Sequence, residues 1–137
     1  MYEAVLGLPL IVAILFGAID VGFLAFKSVS LQHSVDRAAR WATLGKVLPN
    51  PSSPGDFLSR ELSIISQLNS ESRKFGLDLS HATVTICPLN TTCPSGTLDA
   101  GGPETTIKID VQNPESFLLN VTTWNISGTS LVTNEPF

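Results

Sequence analysis

The stretch Glu3–Gly22, EAVLGLPLIVAILFGAIDVG, decides how the rest of the chain is read. It is an apolar run interrupted by Pro9 and Asp20, with Glu3 at its mouth. Ala4 to Phe26 carries a single charge, Asp20, and about 20 apolar residues suffice to cross a bilayer core as a helix. Membrane residence at some stage is therefore expected. Beyond Lys27 the composition becomes that of a soluble protein, with abundant Ser, Thr, Asn and Pro. The chain has 137 residues, 43% of them hydrophobic and 15% charged, with a formal charge of −4. That suits one modest domain attached to one apolar segment and is too apolar for a disordered tail. The expected organisation is a long helix over 1–46, its apolar membrane half at 1–26, followed by a head over 47–137.

A signal peptide carries a basic region before its apolar core and a small-residue cleavage site after it. Here the run is preceded by Met1-Tyr2-Glu3, the first basic residue is Lys27, and FKSVSLQHSVDRAARWATLG continues with helical spacing. The segment is expected to be retained. Lys27, Arg37, Arg40 and Lys46 all follow the run, which by the positive-inside bias would put the head in the cytoplasm. Cys87 and Cys93 argue the other way. They enclose PLNTT, a turn-rich loop that a disulfide would close in an oxidising compartment. A basic leader removed upstream of Met1 would reconcile the two, so the sequence reads as a mature form.

From Val29 the apolar positions Leu31, Val35, Ala38, Ala39, Trp41, Ala42 and Leu44 recur every three to four residues, and Gly45 and Pro49 mark the stop. A helix from Met1 to Gly45 would be roughly 65 to 70 Å long, with Pro9 predicted to kink or loosen it. After the loop LPNPSSPGD, Asp56 is the predicted cap of a second, amphipathic helix. Leu58, Leu62, Ile65 and Leu68 form its apolar face, and Gly76 its end. From Leu79 the period becomes two. HATVTICPL sets Ala82, Val84 and Ile86 against Thr83, Thr85 and Cys87. ETTIKIDVQN sets Ile107, Ile109 and Val111 against Lys108 and Asp110. NVTTWNISGTSLVTN is the third strand candidate, broken or bulged near Gly128. The fold class is α+β, a pilin-like long helix leading into a head with one more helix and an antiparallel sheet of about three strands.

Catalysis finds no support in this pattern. His33 and His81 have no Cys, His or carboxylate grouping at metal-ligand spacing, and no Gly-rich phosphate loop is visible. His33 is expected at the surface or between subunits. No metal, no cofactor and no enzyme activity are expected. The negative charge and scattered basic residues disfavour nucleic acid. Cys87 and Cys93 read as a structural disulfide. Asn90-Thr91-Thr92, Asn120-Val121-Thr122 and Asn125-Ile126-Ser127 match the glycosylation triplet but are read as chance matches.

The opening string, the continuation QHSVDRAARWATLG and the closing TNEPF together resemble the TadE-like pilins and pseudopilins of tight-adherence (Tad) type IV pilus systems. The shared pattern is Glu, an apolar stretch with Leu-Pro, Gly-x-x-Asp-x-Gly, an Ala-rich helical continuation and a terminal Glu-Pro. The resemblance covers about the first 45 residues and the last five. It implies a subunit held in the inner membrane, clipped by a prepilin peptidase and passed by the pilus assembly machinery into an extracellular helical filament used for surface attachment. Its partners would be copies of itself, packed through the first helix. The filament-core residues would be Leu6, Leu8, Pro9, Leu10, Val12, Leu15, Phe16 and Ile19. The free amine of Met1 is costly in an apolar core unless a carboxylate compensates it, and Glu3 of a neighbouring copy is the candidate. Glu3 could instead lie solvated among headgroups.

Asp20 is expensive in lipid or core. It is expected either at a filament contact or near the membrane surface with Lys27 as its partner. Gly7, Gly17 and Gly22 allow close helix approach, though glycine is also ordinary in membrane helices. The alternative to a filament subunit is a single-pass anchored accessory pseudopilin or envelope-binding domain that does not form the bulk of a filament.

Overall fold

A computed structural model describes residues 2–53, 55–116 and 123–136, with side chains at the start of the chain described from Gly7 onward. The long helix, α1, spans Tyr2–Thr43 and continues as helix through Pro9. α2 spans Arg60–Arg73. Three strands follow, β1 over Thr83–Pro88, β2 over Thr106–Ser116 and β3 over Thr123–Thr133, in one antiparallel sheet of order β1-β2-β3. The architecture is α+β, as the change of period at Leu79 predicts.

α2 starts later than the sequence suggests. Its cap is Ser59, whose hydroxyl oxygen accepts the Leu62 N–H at 3.3 Å. Asp56 is instead part of the preceding loop: its carbonyl accepts the Asn50 N–H at 2.9 Å, and Leu58 donates to the Leu48 carbonyl at 2.8 Å. These bonds, with the Pro49–Phe57 bridge, hold the backbone extended where a helix would otherwise begin. The other end follows expectation. The Leu77 N–H reaches the Ser72 carbonyl at 3.1 Å and the Gly76 N–H reaches Arg73 at 3.0 Å, while Gly76 has φ +70. This is the bond pair of a Schellman stop, which needs a left-handed residue where Gly76 stands.

The buried face of α2 is also rotated from the one expected. Ser63, Ile64, Leu68, Glu71 and Ser72 are buried, whereas Leu62 is 49% exposed and Leu58 and Ile65 only half-buried. The reason lies in the serines. Ser63 and Ser72 donate to carbonyls four residues back, Ser59 at 2.9 Å and Leu68 at 2.8 Å, and Ser34 of α1 does the same to Ser30 at 2.8 Å. A buried hydroxyl satisfied by its own helix acts as a small residue and permits close packing, and so these polar positions can face inward.

The core joins Leu31, Val35, Ala38, Ala39 and Ala42 of α1 to Ile64 and Leu68 of α2 and to Ile86, Ile107, Ile109, Val111 and Ile126 of the sheet. Each large side chain buried there contributes roughly 1.5 to 3 kcal/mol. β3 runs beside α1 without the predicted break. Its register against β2 is one-to-one from Thr106–Thr133 to Ser116–Thr123, with Gly128 opposite Val111. Gly128 marks a close approach instead: a Cβ there would stand 3.1 Å from Val35 Cγ2 and 3.4 Å from Gln32 Cα. Next to it, the Gln32 side-chain amide donates to the Thr129 carbonyl at 2.9 Å and accepts the Thr129 N–H at 3.0 Å. β2 reaches past the predicted Asn113 because β3 pairs with it as far as Ser116, while β1 stops at Gln112 and Pro114 needs no partner on that side.

Candidate functional site

The sequence-derived assembly residues fall on the first half of α1. Met1 lies outside the described residues, and Glu3 and Leu6 are placed as helix backbone only. From there the helix is exposed on every side. Leu8 is 66% exposed and Ile19 57%, and Leu10, Val12, Leu15 and Phe16 are exposed with them, as is Pro9. Gly7–Thr43 is long and apolar enough to cross a membrane, and only 6% of its most apolar stretch is buried within the chain. No side chain of the described head covers Gly7, Gly17 or Gly22, where an added Cβ would meet nothing within 4 Å.

Asp20 is the exception. It is 6% exposed and is engaged within the chain. Lys27, expected as its partner, instead meets Glu115 of β2 at 2.5 Å and lies 4.8 Å over the Phe23 ring. Glu115 is in turn held by the Asn113 side-chain amide at 3.0 Å, and the same amide donates to the Asp78 carbonyl at 3.2 Å. β2 ends beside α1 at this level, which brings Glu115 within reach of Lys27. The Lys27–Glu115 pair thus ties the end of the apolar half to β2.

Two further polar groups anchor the head. Arg60, the first residue of α2, donates to the Ala42 carbonyl at 3.0 Å and to Asn134 Oδ1 at 2.6 Å. Asn134 also donates to the carbonyls of Ala100 at 3.0 Å and Gly102 at 2.8 Å. These bonds tie the end of α1, the start of α2, the loop before β2 and the C-terminal segment into one knot. Between the helices, Glu71 accepts from Lys74 at 2.6 Å and from Arg37 at 3.3 Å. The Lys74 hydrogen bond holds its carboxyl below the usual value; burial opposes this and Arg37 reinforces it. Arg60, Asn134, Glu115 and Trp124 escaped the sequence reading. Only Asn134 carried a signal, in the terminal Asn-Glu-Pro string.

Cys87 and Cys93 form the disulfide, closing the loop after β1. His33 is exposed with its ring edge-on to Phe75 at 5.7 Å, a packing contact between α1 and the end of α2. Among the described residues no group of three or more His, Cys, Asp or Glu could hold a metal ion. Asn120-Val121-Thr122 lies outside the described residues.

A long apolar helix, exposed over most of its first half and packed on a small α+β head over its second, is a pilin-like architecture. Residues 1–40 match the model of the TadE-like protein family. No curated protein and no solved structure matches the chain.

Proposed function

We propose that this protein is a structural subunit that polymerises through the first half of α1 into an extracellular, Tad-like type IV pilus filament for surface attachment. What carries this reading is the all-round exposure of the apolar side chains between Leu8 and Ile19. A helix face buried in its own domain shows a stripe; a helix apolar all round needs lipid or other helices. The same segment serves both states, in the inner membrane before assembly and against copies of itself afterwards. The TadE-like domain supports association with Tad pilus machinery, including a prepilin peptidase that frees the N-terminal amine. Glu3 of one copy compensates that amine on the next.

The test is N-terminal mass spectrometry of filaments sheared from cells, compared with a Glu3→Gln variant. The chain is expected as an abundant processed polymer, and Glu3→Gln is expected to insert and fold yet give sharply fewer filaments. A chain that stays wholly in the membrane fraction would instead be an anchored accessory subunit.

A further inference from the structure

β3 and α1 run side by side in the same direction. Trp124 and Ile126 lie beside Val21, Leu24 and Ala25, Gly128 beside Leu31 and Val35, and the Glu135 N–H reaches the Thr43 carbonyl at 3.2 Å. The head therefore does not sit wholly above the apolar segment. The start of β3 reaches down past Lys27 to the level of Val21, leaving a groove of about 380 Å³ between helix and strand. Trp124 stands at that groove 62% exposed, whereas Trp41, the other tryptophan, packs against the core.

A helical ruler gives the level. Twenty residues from Gly7 to Phe26 rise about 30 Å, the thickness of a hydrocarbon core. On that scale Val21 to Ala25 occupy the last turns of the span, and Lys27 with Glu115 stands just beyond it, where headgroups begin. The groove wall of Val21, Leu24 and Ala25 is continuous with the exposed apolar surface of the helix, and Ser28 lies one turn further out. Tryptophan prefers this boundary, where its ring is shielded from water and its N–H stays wet.

We propose that the Trp124 end of β3 is a second membrane contact, in which the groove between α1 and β3 takes up phospholipid acyl chain at the headgroup boundary. This rests on the reading that α1 stands in a bilayer before assembly. It makes the unassembled subunit a two-point anchor with a fixed tilt of head to membrane, and the groove must be emptied of lipid when the helix leaves.

The experiment uses the full chain carrying Trp41→Phe, reconstituted in phosphatidylcholine–phosphatidylglycerol vesicles whose acyl chains bear bromine either near the headgroup or near the bilayer centre. Circular dichroism checks the fold. Trp124 emission is expected to be blue-shifted and to be lost mainly to the shallow bromines. A second reporter, Phe16→Trp in a chain with Trp41→Phe and Trp124→Phe, reads the span itself and should be quenched mainly by the deep bromines. Quenching of that reporter with Trp124 unquenched by either lipid overturns the inference and leaves the spanning helix standing. If neither is quenched, the spanning reading fails and the inference with it. Blue-shifted Trp124 emission that ignores bromine but grows with chain density would assign the groove to a second copy, which also overturns the proposal.

Discussion

The two halves of α1 share one backbone and an apolar character, yet their surroundings differ. From Leu8 to Ile19 large side chains point in all directions and are exposed; from Leu31 to Ala42 the apolar positions keep to one stripe and are buried. In the second half Arg37 and Arg40 lie exposed on the other side of the helix. A stripe is the mark of a partner inside the chain, and its absence over a membrane-length stretch is the mark of a partner outside it. The Lys27–Glu115 pair lies where one regime gives way to the other.

The largest expected effect comes from dividing the helix there. A head beginning at Val29 keeps Leu31 and Val35 for its core, so it should be soluble and monomeric by light scattering, with assembly abolished. Ordered polymers from that head would move the assembly contacts out of the first half and end the comparison. Next in size is a matched pair of substitutions. Leu31→Ala, at a fully buried site, should lower head stability by about 2 to 5 kcal/mol in chemical denaturation. Leu10→Ala, at an exposed one, should change it by no more than about 0.5 kcal/mol. Equal losses would mean that the first half is packed within its own chain after all.

Cys87→Ser tests the head far from either half of the helix, and closing so short a loop should be worth about 2 to 3 kcal/mol. Two reactive thiols in the exported native chain would remove that contribution. The smallest effect is at Glu71. Its carboxyl lies below the ordinary value in the folded chain, so its stabilisation is complete above about pH 4.5 and is lost as pH falls through the folded-state value. Melting temperatures should therefore fall less steeply below pH 4.5 in Glu71→Gln than in the native chain. Arg37 and Lys74 are 53% and 55% exposed, and screening keeps the difference to about 1 kcal/mol or less.

The first half of α1, the three strands and the disulfide were legible because each depends on local pattern: an unbroken apolar run, a period of two, a pair of cysteines flanking a turn. The inward face of α2 was not. Hydropathy counts Ser63 and Ser72 as polar, while both hydroxyls donate one turn back and the Ser63 oxygen also accepts the Leu48 N–H, so both are satisfied in the interior. Gly128 looked like a break because a strand glycine often is one; only the proximity of Gln32 and Val35 reveals what it is for. Lys27 was given the nearest carboxylate in sequence, and no local signal could have named one 88 residues away. The same holds for Arg60 with Asn134 and for Trp124, whose level against Val21 exists only once β3 lies along the helix. The TadE-like match ends at residue 40, so the head's own geometry had to come from the fold.

Gln32 bears on what happens when many copies crowd together. β3 is an edge strand, and an open edge offers N–H and C=O groups that invite another chain to add a strand. At Thr129 both groups are already taken by one side-chain amide. Glutamine there works as a stopper, interrupting the row on which a stray strand would have to zip. If the helix packs among copies as proposed, such a stopper leaves association through helices open while association through the β3 edge is blocked midway.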